Sequence, residues 1–331
     1  MKTAPFGNSG IVTSRIVYGT WYLPHEDRQD ERGLYPVDRK KAVAIIDRAF
    51  ESGIRCFDTA DVYRGVYYRA SDKPGFENIG QSERILGEAL KKLDREEYVI
   101  VTKVTGRTGP LENDAGHGRK HIRSAVSRSL ERLQTDYIDF YLLHAPDPGT
   151  SLENAARSMN LLIEDGSILH YGVSNFRPDE VEEMFSVCRE CGLEPPSVMQ
   201  DVYNLINREF ESSKLRIVEK HGMAAMIYSP LAQGVLAGRH STGGGIPRSR
   251  YEKLFSEKVQ SLASSPEIER VKRIGERRSV PMSQVALAWL LRKSERIFPI
   301  VGATEESQIA ECSMSTEVEL SDDEMKELEG K

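Results

Sequence analysis

The chain has 331 residues, 39% of them hydrophobic and 29% charged, which is enough to bury a substantial core as one large domain or two ordinary ones. Its 45 Lys and Arg against 51 Asp and Glu leave a formal charge of −6, so no bulk basic surface points to nucleic acid or anionic lipid, and a small-molecule partner is the better expectation. No apolar run approaches the roughly 20 residues that span a bilayer, and the opening MKTAPFGNSG lacks the apolar core of a secretory signal; both predict a cytoplasmic protein without membrane insertion.

In chain order, KTAPFGNSGIVTS reads as two short strands about the turn Asn8-Ser9-Gly10, a hairpin suited to plugging one end of a larger structure. Eight strand candidates follow: RIVYG at 15–19, IRCF at 54–57, YVIVTK at 98–103, YIDFYLL at 137–143, ILHYGV at 168–173, SVMQ at 197–200, AAMIY at 224–228 and RIFPIVG at 296–302. Between them stand segments of helical periodicity: RKKAVAIIDRAFESG, SERILGEALKKL, RKHIRSAVSRSLERL, LENAARSMNLLIEDG, DEVEEMFSVCRE, EFESSKLRIVEKHG and SQVALAWLLRKS. Gly53, Gly166, Gly192 and Gly222 close four of these, and Pro178 opens one.

Strands alternating with helices predict parallel strands and right-handed crossovers. Eight units without a break in composition favour one closed (β/α)₈ TIM barrel over residues 1–331. The alternative, a doubly wound sheet, lacks the GxGxxG turn of a Rossmann dinucleotide site. Two connections are longer than a tight turn needs, 64–79 and 239–265; the second holds HSTGGGIPRSR, which reads equally as a mobile loop able to approach an anion or as a surface excursion. Of the four cysteines, Cys56 lies in an apolar run as an ordinary buried thiol, and Cys188 and Cys191 form a lone CRECG without a second ligand pair, so no metal is expected.

In a parallel barrel, chemistry collects at the carboxyl ends of the strands. There the sequence places Asp58 after the second barrel strand, Lys103 at the end of the third and His144 at the end of the fourth, with Tyr63 just beyond Asp58 in FDTADVY. A free phenol, with a pKa of roughly 10, exchanges its proton poorly near neutral pH. An adjacent ammonium favours the phenolate, and a carboxylate beyond it keeps the lysine charged and oriented. Tyr63 therefore reads as the general acid/base, Lys103 as its tuner and Asp58 as the lysine's partner, while His144 either orients a carbonyl oxygen or relays the proton. Taken singly, each has a structural explanation as a cap, an ion pair, packing or a core histidine; their convergence on one rim favours chemistry.

FDTADVY, the VTKV lysine, RSLERLQTDYIDFYLLH and YGVSNF occur in the order found in the aldo-keto reductase superfamily, and the likeness extends over nearly the whole chain. The RKHI…SLERLQTDYID segment is most similar to the branch with bacterial reductases and the β subunits of voltage-gated potassium channels. The resemblance implies a barrel that binds an extended NADP or NAD without a Rossmann fold, and a tetrad mapping onto Asp58, Tyr63, Lys103 and His144. It implies that Ser174, Asn175 and Gln200 hold the nicotinamide carboxamide, whose donor and acceptor suit hydroxyl and amide partners. Tyr228 would stack on the nicotinamide ring. Ser229, Leu231, Gln233 and Gly234 would wrap the pyrophosphate, with Arg239 adding charge. Gly19, Thr20 and Trp21 near the first barrel strand join the implied cofactor site.

The sequence departs from the family after the last barrel strand, where many relatives carry a Lys or Arg for the 2′-phosphate of NADP. Here the run is Gly302-Ala303-Thr304-Glu305-Glu306, with helix-start amides, Thr304 and Gln308 as the remaining candidates to receive a phosphate. The adenine pair Glu-Asn appears as Glu311-Cys312. NADP is preferred on the resemblance, with NAD the alternative. The reading is an NAD(P)-dependent oxidoreductase passing hydride between the nicotinamide C4 and the carbonyl carbon of an aldehyde, ketone or sugar. Trp21, Tyr22, Tyr67 and Tyr68 would wall its substrate pocket. The rival is a cofactor-sensing regulatory subunit like the channel β subunits; a metal-dependent barrel hydrolase is weaker, since the rim offers one clear histidine beside a lysine and a phenol. Homo-oligomer formation stays open.

Overall fold

Along each expected strand the residues alternate between two apolar environments, as the two-residue period of β structure requires. A computed structural model of the chain describes residues 1–31, 35–65, 76, 78–238, 262 and 264–331. Tyr67, Tyr68, Arg239 and the glycine-rich run lie outside the described residues. All eight barrel strands form where the sequence reading put them: β3 Val17–Gly19, β4 Cys56–Asp58, β5 Val99–Val104, β6 Ile138–Leu143, β7 Ile168–Ser174, β8 Val198–Val202, β9 Ala224–Tyr228 and β10 Ile297–Val301. They pair in parallel and in chain order, and β10 closes the circle on β3.

The inward set packs as one apolar cluster that includes Val17, Cys56, Val99, Val101, Phe140, Leu142, Val198, Ala224, Met226, Phe298 and Ile300. The outward set, among it Tyr18, Phe57, Ile100, Tyr141, Tyr171, Met199 and Ile227, packs against the helices. Helix α1, Arg39–Glu51, shows the matching stripe: Ala42, Ile45, Ile46 and Ala49 are buried at helical spacing, and the Asp38 carboxylate caps the first turn by accepting from Lys41 N–H. Gly19 has a steric reason at the seam, because a Cβ there would stand 2.6 Å from Ile300 Cγ2.

The N-terminal segment forms the expected antiparallel hairpin, β1 Thr3–Pro5 with β2 Val12–Ser14. Phe6, fully buried, enters the inner cluster with its ring centroid 4.8 Å from Phe140 and 4.6 Å from Phe298, edge to face in both cases. The hairpin therefore closes one end of the barrel with apolar contacts.

Two helical expectations need correction. EFESSKLRIVEKHG forms two short helices, Glu209–Ser213 and Leu215–His221, divided at Lys214, whose ammonium pairs with Asp201. Glu306–Ser313 supplies the helix start expected after the last barrel strand, and two further helices were not anticipated: Pro266–Arg278 and Asp322–Glu329. The first is dominated by charge and buries only Val271, Ile274 and Gly275, too narrow a stripe to stand out. The last carried a readable signal in its Ser321/Glu324 capping box.

Candidate active site

The alternation that fills the barrel with Cys56, with Val99 and Val101, and with Phe140 and Leu142 continues upward to Asp58, Lys103 and His144. On the other side, Val198 leads to Gln200, and Ala224 and Met226 to Tyr228. Each of these polar residues is thus the next inward position on its strand, at the carboxyl end. Asp58 is the last residue of β4 and Lys103 the penultimate one of β5, each one residue deeper than the sequence reading put it.

Lys103 is fully buried. Its Nζ lies 2.8 Å from Asp58 Oδ1 and donates to Asp58 Oδ2 at 2.9 Å, to the Thr59 carbonyl at 2.6 Å and to Tyr63 Oη at 3.2 Å. Gln200 Nε2 donates to Asp58 Oδ1 at 2.7 Å. Burial raises the Asp58 carboxyl and lowers the Lys103 ammonium from their usual values, while their mutual contact opposes both shifts. The pair is anchored by hydrogen bonds on both sides, the condition under which a buried ion pair persists.

The expectation for Tyr63 is corrected in one respect. Its phenol is held well above its usual pKa, first by burial and then by the charges of Asp58 and Asp61, so Lys103 does not make it a phenolate in this state. Tyr63 therefore keeps its proton. The His144 ring stands 5.6 Å from the Tyr63 ring, centroid to centroid. Burial, then the charge of Lys103, lowers its pKa to about 3, so the imidazole is neutral.

Beside these four, Asn175 adopts a left-handed conformation, φ 62°, with its Nδ2 donating to the His144 carbonyl at 2.9 Å and to Ser174 Oγ at 3.0 Å. Tyr228 Oη donates to Asn175 Oδ1 at 2.9 Å. Ser174, Asn175, Gln200 and Tyr228 thus form one connected rim rather than four isolated groups. After β9, Ser229, Ala232, Gln233 and Gly234 all have positive φ, and the Ala232 and Gly234 N–H groups close the turn on the Ser229 and Leu231 carbonyls. Gln233 Nε2 donates to Ser229 Oγ, and Asn204 Nδ2 to the Ser229 carbonyl, which braces this turn.

After β10, Gln308 Oε1 accepts from Thr304 N–H at 3.0 Å, which engages that backbone donor of the helix start and leaves the Gln308 Nε2 group as a donor. Glu305 is paired with Lys41 of α1 at 2.6 Å, so the acidic run carries a compensating cation from elsewhere in the chain. Glu311 accepts from the Ser283 hydroxyl, and its carbonyl from Gln284. Trp21 is 43% exposed and Tyr22 half-buried.

The sequence reading missed Lys41, Asn204 and Asp61. Asp61 stands inside the quoted FDTADVY yet is fully buried with neither carboxylate oxygen hydrogen-bonded, and burial then Glu83 raise its pKa strongly. No pattern at the sequence level marks Lys41 or Asn204, whose partners lie 264 and 25 residues away. Among the described residues no group of three His, Cys, Asp or Glu is placed to hold a metal, and no helix is long and apolar enough to cross a membrane.

A profile of the Aldo/keto reductase family matches residues 15–331. The chain is 32% identical over 325 residues to a protein of Schizosaccharomyces pombe named as a voltage-gated potassium channel subunit beta, covering 94% of this chain and 87% of that one. Proteins with the same kind of name from Oryza sativa subsp. japonica and Arabidopsis thaliana are 31% and 30% identical, each match covering 96% of this chain and 92% of the relative.

Proposed function

Because the chain belongs to the aldo/keto reductase family, a family of oxidoreductases that generally use a nicotinamide cofactor, we propose that it reduces the carbonyl group of an aldehyde, ketone or sugar, or runs the reverse oxidation, with Tyr63 as proton donor and acceptor. The observation that carries this reading is the row Tyr63, Lys103, Asp58, in which the oxygen of a half-buried phenol lies 3.2 Å from a fully buried ammonium clamped at 2.8 Å by a carboxylate.

The residues present fit a nicotinamide dinucleotide. Ser174, Asn175 and Gln200 present hydroxyl and amide groups to a carboxamide, Tyr228 offers a ring face, and the positive-φ turn from Ser229 to Gly234 suits a pyrophosphate. When bound, the cofactor supplies or accepts the hydride at its C4 position.

What this chain's own residues do follows from their charge and burial. Tyr63 holds its proton and gives it up only as negative charge develops on the substrate oxygen, at which point the Lys103 ammonium stabilises the phenolate left behind. Asp58 keeps that ammonium charged and immobile, and Gln200 holds Asp58 in turn. Neutral His144 directs the carbonyl oxygen by hydrogen bonding and does not compete for the proton.

Lys41 beside Glu305 supports dual use of NADP and NAD, with NADP preferred on family grounds, since a cation stands within reach of the acidic run. The cytoplasm, with its reduced nicotinamide pool, is the proposed location, in keeping with Cys56, Cys188, Cys191 and Cys312 standing outside any disulfide.

The names of the relatives favour a second reading, a cofactor-sensing partner of a membrane channel with slow turnover. Following nicotinamide absorbance with purified protein, NADPH or NADH and a panel of carbonyl compounds separates the two. Turnover that Tyr63→Phe abolishes supports the enzyme; tight cofactor binding without turnover on any substrate overturns it in favour of the second reading.

A further inference from the structure

His144 is fixed from behind by a second hydrogen-bonded chain that the tetrad does not include. Its backbone N–H donates both to the Val104 carbonyl at 2.8 Å and to Thr105 Oγ1 at 3.1 Å. The Thr105 hydroxyl, having accepted there, has one proton of its own, and His117 Nε2 lies 2.9 Å away. The other ring nitrogen of His117 faces the Ala145 carbonyl, which can only accept. These contacts fit a neutral ring with its proton on Nδ1 and a lone pair on Nε2 that accepts the Thr105 proton. Burial supports it, lowering the pKa of His117 below its usual value.

The rest of His117 is equally committed. Its backbone N–H donates to Asp147 Oδ2 at 2.7 Å, and the same carboxylate accepts from Gly149 N–H and the Thr150 hydroxyl. Its ring lies parallel to Phe176, 6.3 Å between centroids and 7° between planes, and is 1% exposed. One residue therefore ties the loop after β5, through its ring to Thr105, to the loop after β6, through its ring to Ala145 and its backbone N–H to Asp147, on both flanks of His144. The front of His144 is held separately, through its carbonyl, by Asn175.

We propose that His117 is a positioning residue for His144: acting through the Thr105 hydroxyl and the Ala145 carbonyl, it fixes the direction in which the His144 imidazole meets the substrate oxygen. The inference rests on the reading of His144 as part of a carbonyl-reducing site. It touches neither substrate nor cofactor. Its effect belongs to the orientation of a catalytic group, where displacement of about 1 Å is worth up to about 10²-fold in rate.

Two variants and one spectrum test it. His117→Leu keeps a side chain against Phe176 and removes both ring nitrogens; kcat falls about tenfold, while KM for the carbonyl compound and the Kd of the cofactor stay within about twofold. His117→Gln places an amide oxygen where Nε2 stood and restores most of kcat. Unchanged kcat in His117→Leu, or an equal loss in His117→Gln, overturns the proposal. Nitrogen-15 imidazole spectra of the wild type give a readout that needs no turnover: a proton on Nδ1 of His117 and none on Nε2 at pH 7, and a displaced His144 ring signal in His117→Leu. A proton on Nε2 of His117, or an unmoved His144 signal, overturns it even if the wild type reduces nothing, an outcome that would by itself sink only the enzymatic reading.

Discussion

The two ends of the barrel are built from the same inward-facing register yet by opposite means. At the amino-terminal end the register is filled by Phe140 and Phe298 and sealed by Phe6, with no polar group among the three. At the carboxyl end the same strands carry Asp58, Lys103, His144, Ser174, Gln200 and Tyr228, and the described polar contacts there form a network rather than a packed layer. The difference teaches how a barrel separates stability from chemistry. Apolar contacts at one end tolerate no competing geometry, and the hydrogen-bonded end can hold charges dry because the strands beneath it are fixed.

The largest effect expected is on rate at the polar end. Tyr63→Phe should lower turnover by about 10²–10⁴-fold while leaving cofactor affinity and the thermal midpoint nearly unchanged, as steady-state kinetics and a thermal melt would reveal. A variant that keeps turning over would remove Tyr63 from the chemistry. Lys103→Met breaks the buried pair and leaves Asp58 alone in a dry site; a loss of about 3–5 kcal/mol in urea-determined stability is expected along with loss of activity. Equal stability with the wild type would mean that water reaches Asp58.

Phe6→Ala probes the other end. It should cost about 3–5 kcal/mol of stability and leave KM and kcat of the surviving folded protein unaltered. A changed KM would show that the two ends are not independent.

The next effect is on pH dependence. The folded-state pKa of His144, about 3, lies below the unfolded value of about 6.5, so its neutral form contributes stability that is complete above pH 6.5 and is lost as pH falls toward 3. Wild-type stability should therefore decline faster than that of His144→Gln between pH 6.5 and pH 4, by at most about 1.4 kcal/mol per pH unit. Parallel curves would place the histidine in contact with water. The smallest effect concerns an exposed pair: Glu305→Lys removes the partner of Lys41 and should shift the NADPH to NADH affinity ratio upward by roughly fivefold, about 1 kcal/mol. No shift in calorimetric affinities would mean that this side chain points away from the cofactor phosphate.

Much of the site was legible before any coordinates. Asp58, Lys103 and His144 stand at ends of short apolar runs, and such ends converge once the runs are known to form a parallel barrel. Gln200, Ser174 and Tyr228 were named only through the family resemblance, and the barrel register places them on the same rim. Tyr63 was placed correctly beside Lys103, but the sign of its pKa shift was not, because the sequence hides how far desolvation, with the charges of Asp58 and Asp61, outweighs the ammonium. His117 was passed over altogether, as its partners Thr105 and Asp147 lie on different loops.

The sequence by itself determined the strands, most helices, the hairpin plug and the residue types delivered to the catalytic rim, since these depend on local periodicity and on which side of a strand a residue falls. Only the tertiary structure decided which groups are dry, which are paired and which are charged: the proton on Tyr63, the neutrality of His144, the pairing of Glu305 with Lys41 and the clamp through His117. Burial and Coulomb interactions depend on distances between residues far apart in the chain, and those distances exist only once the barrel has closed.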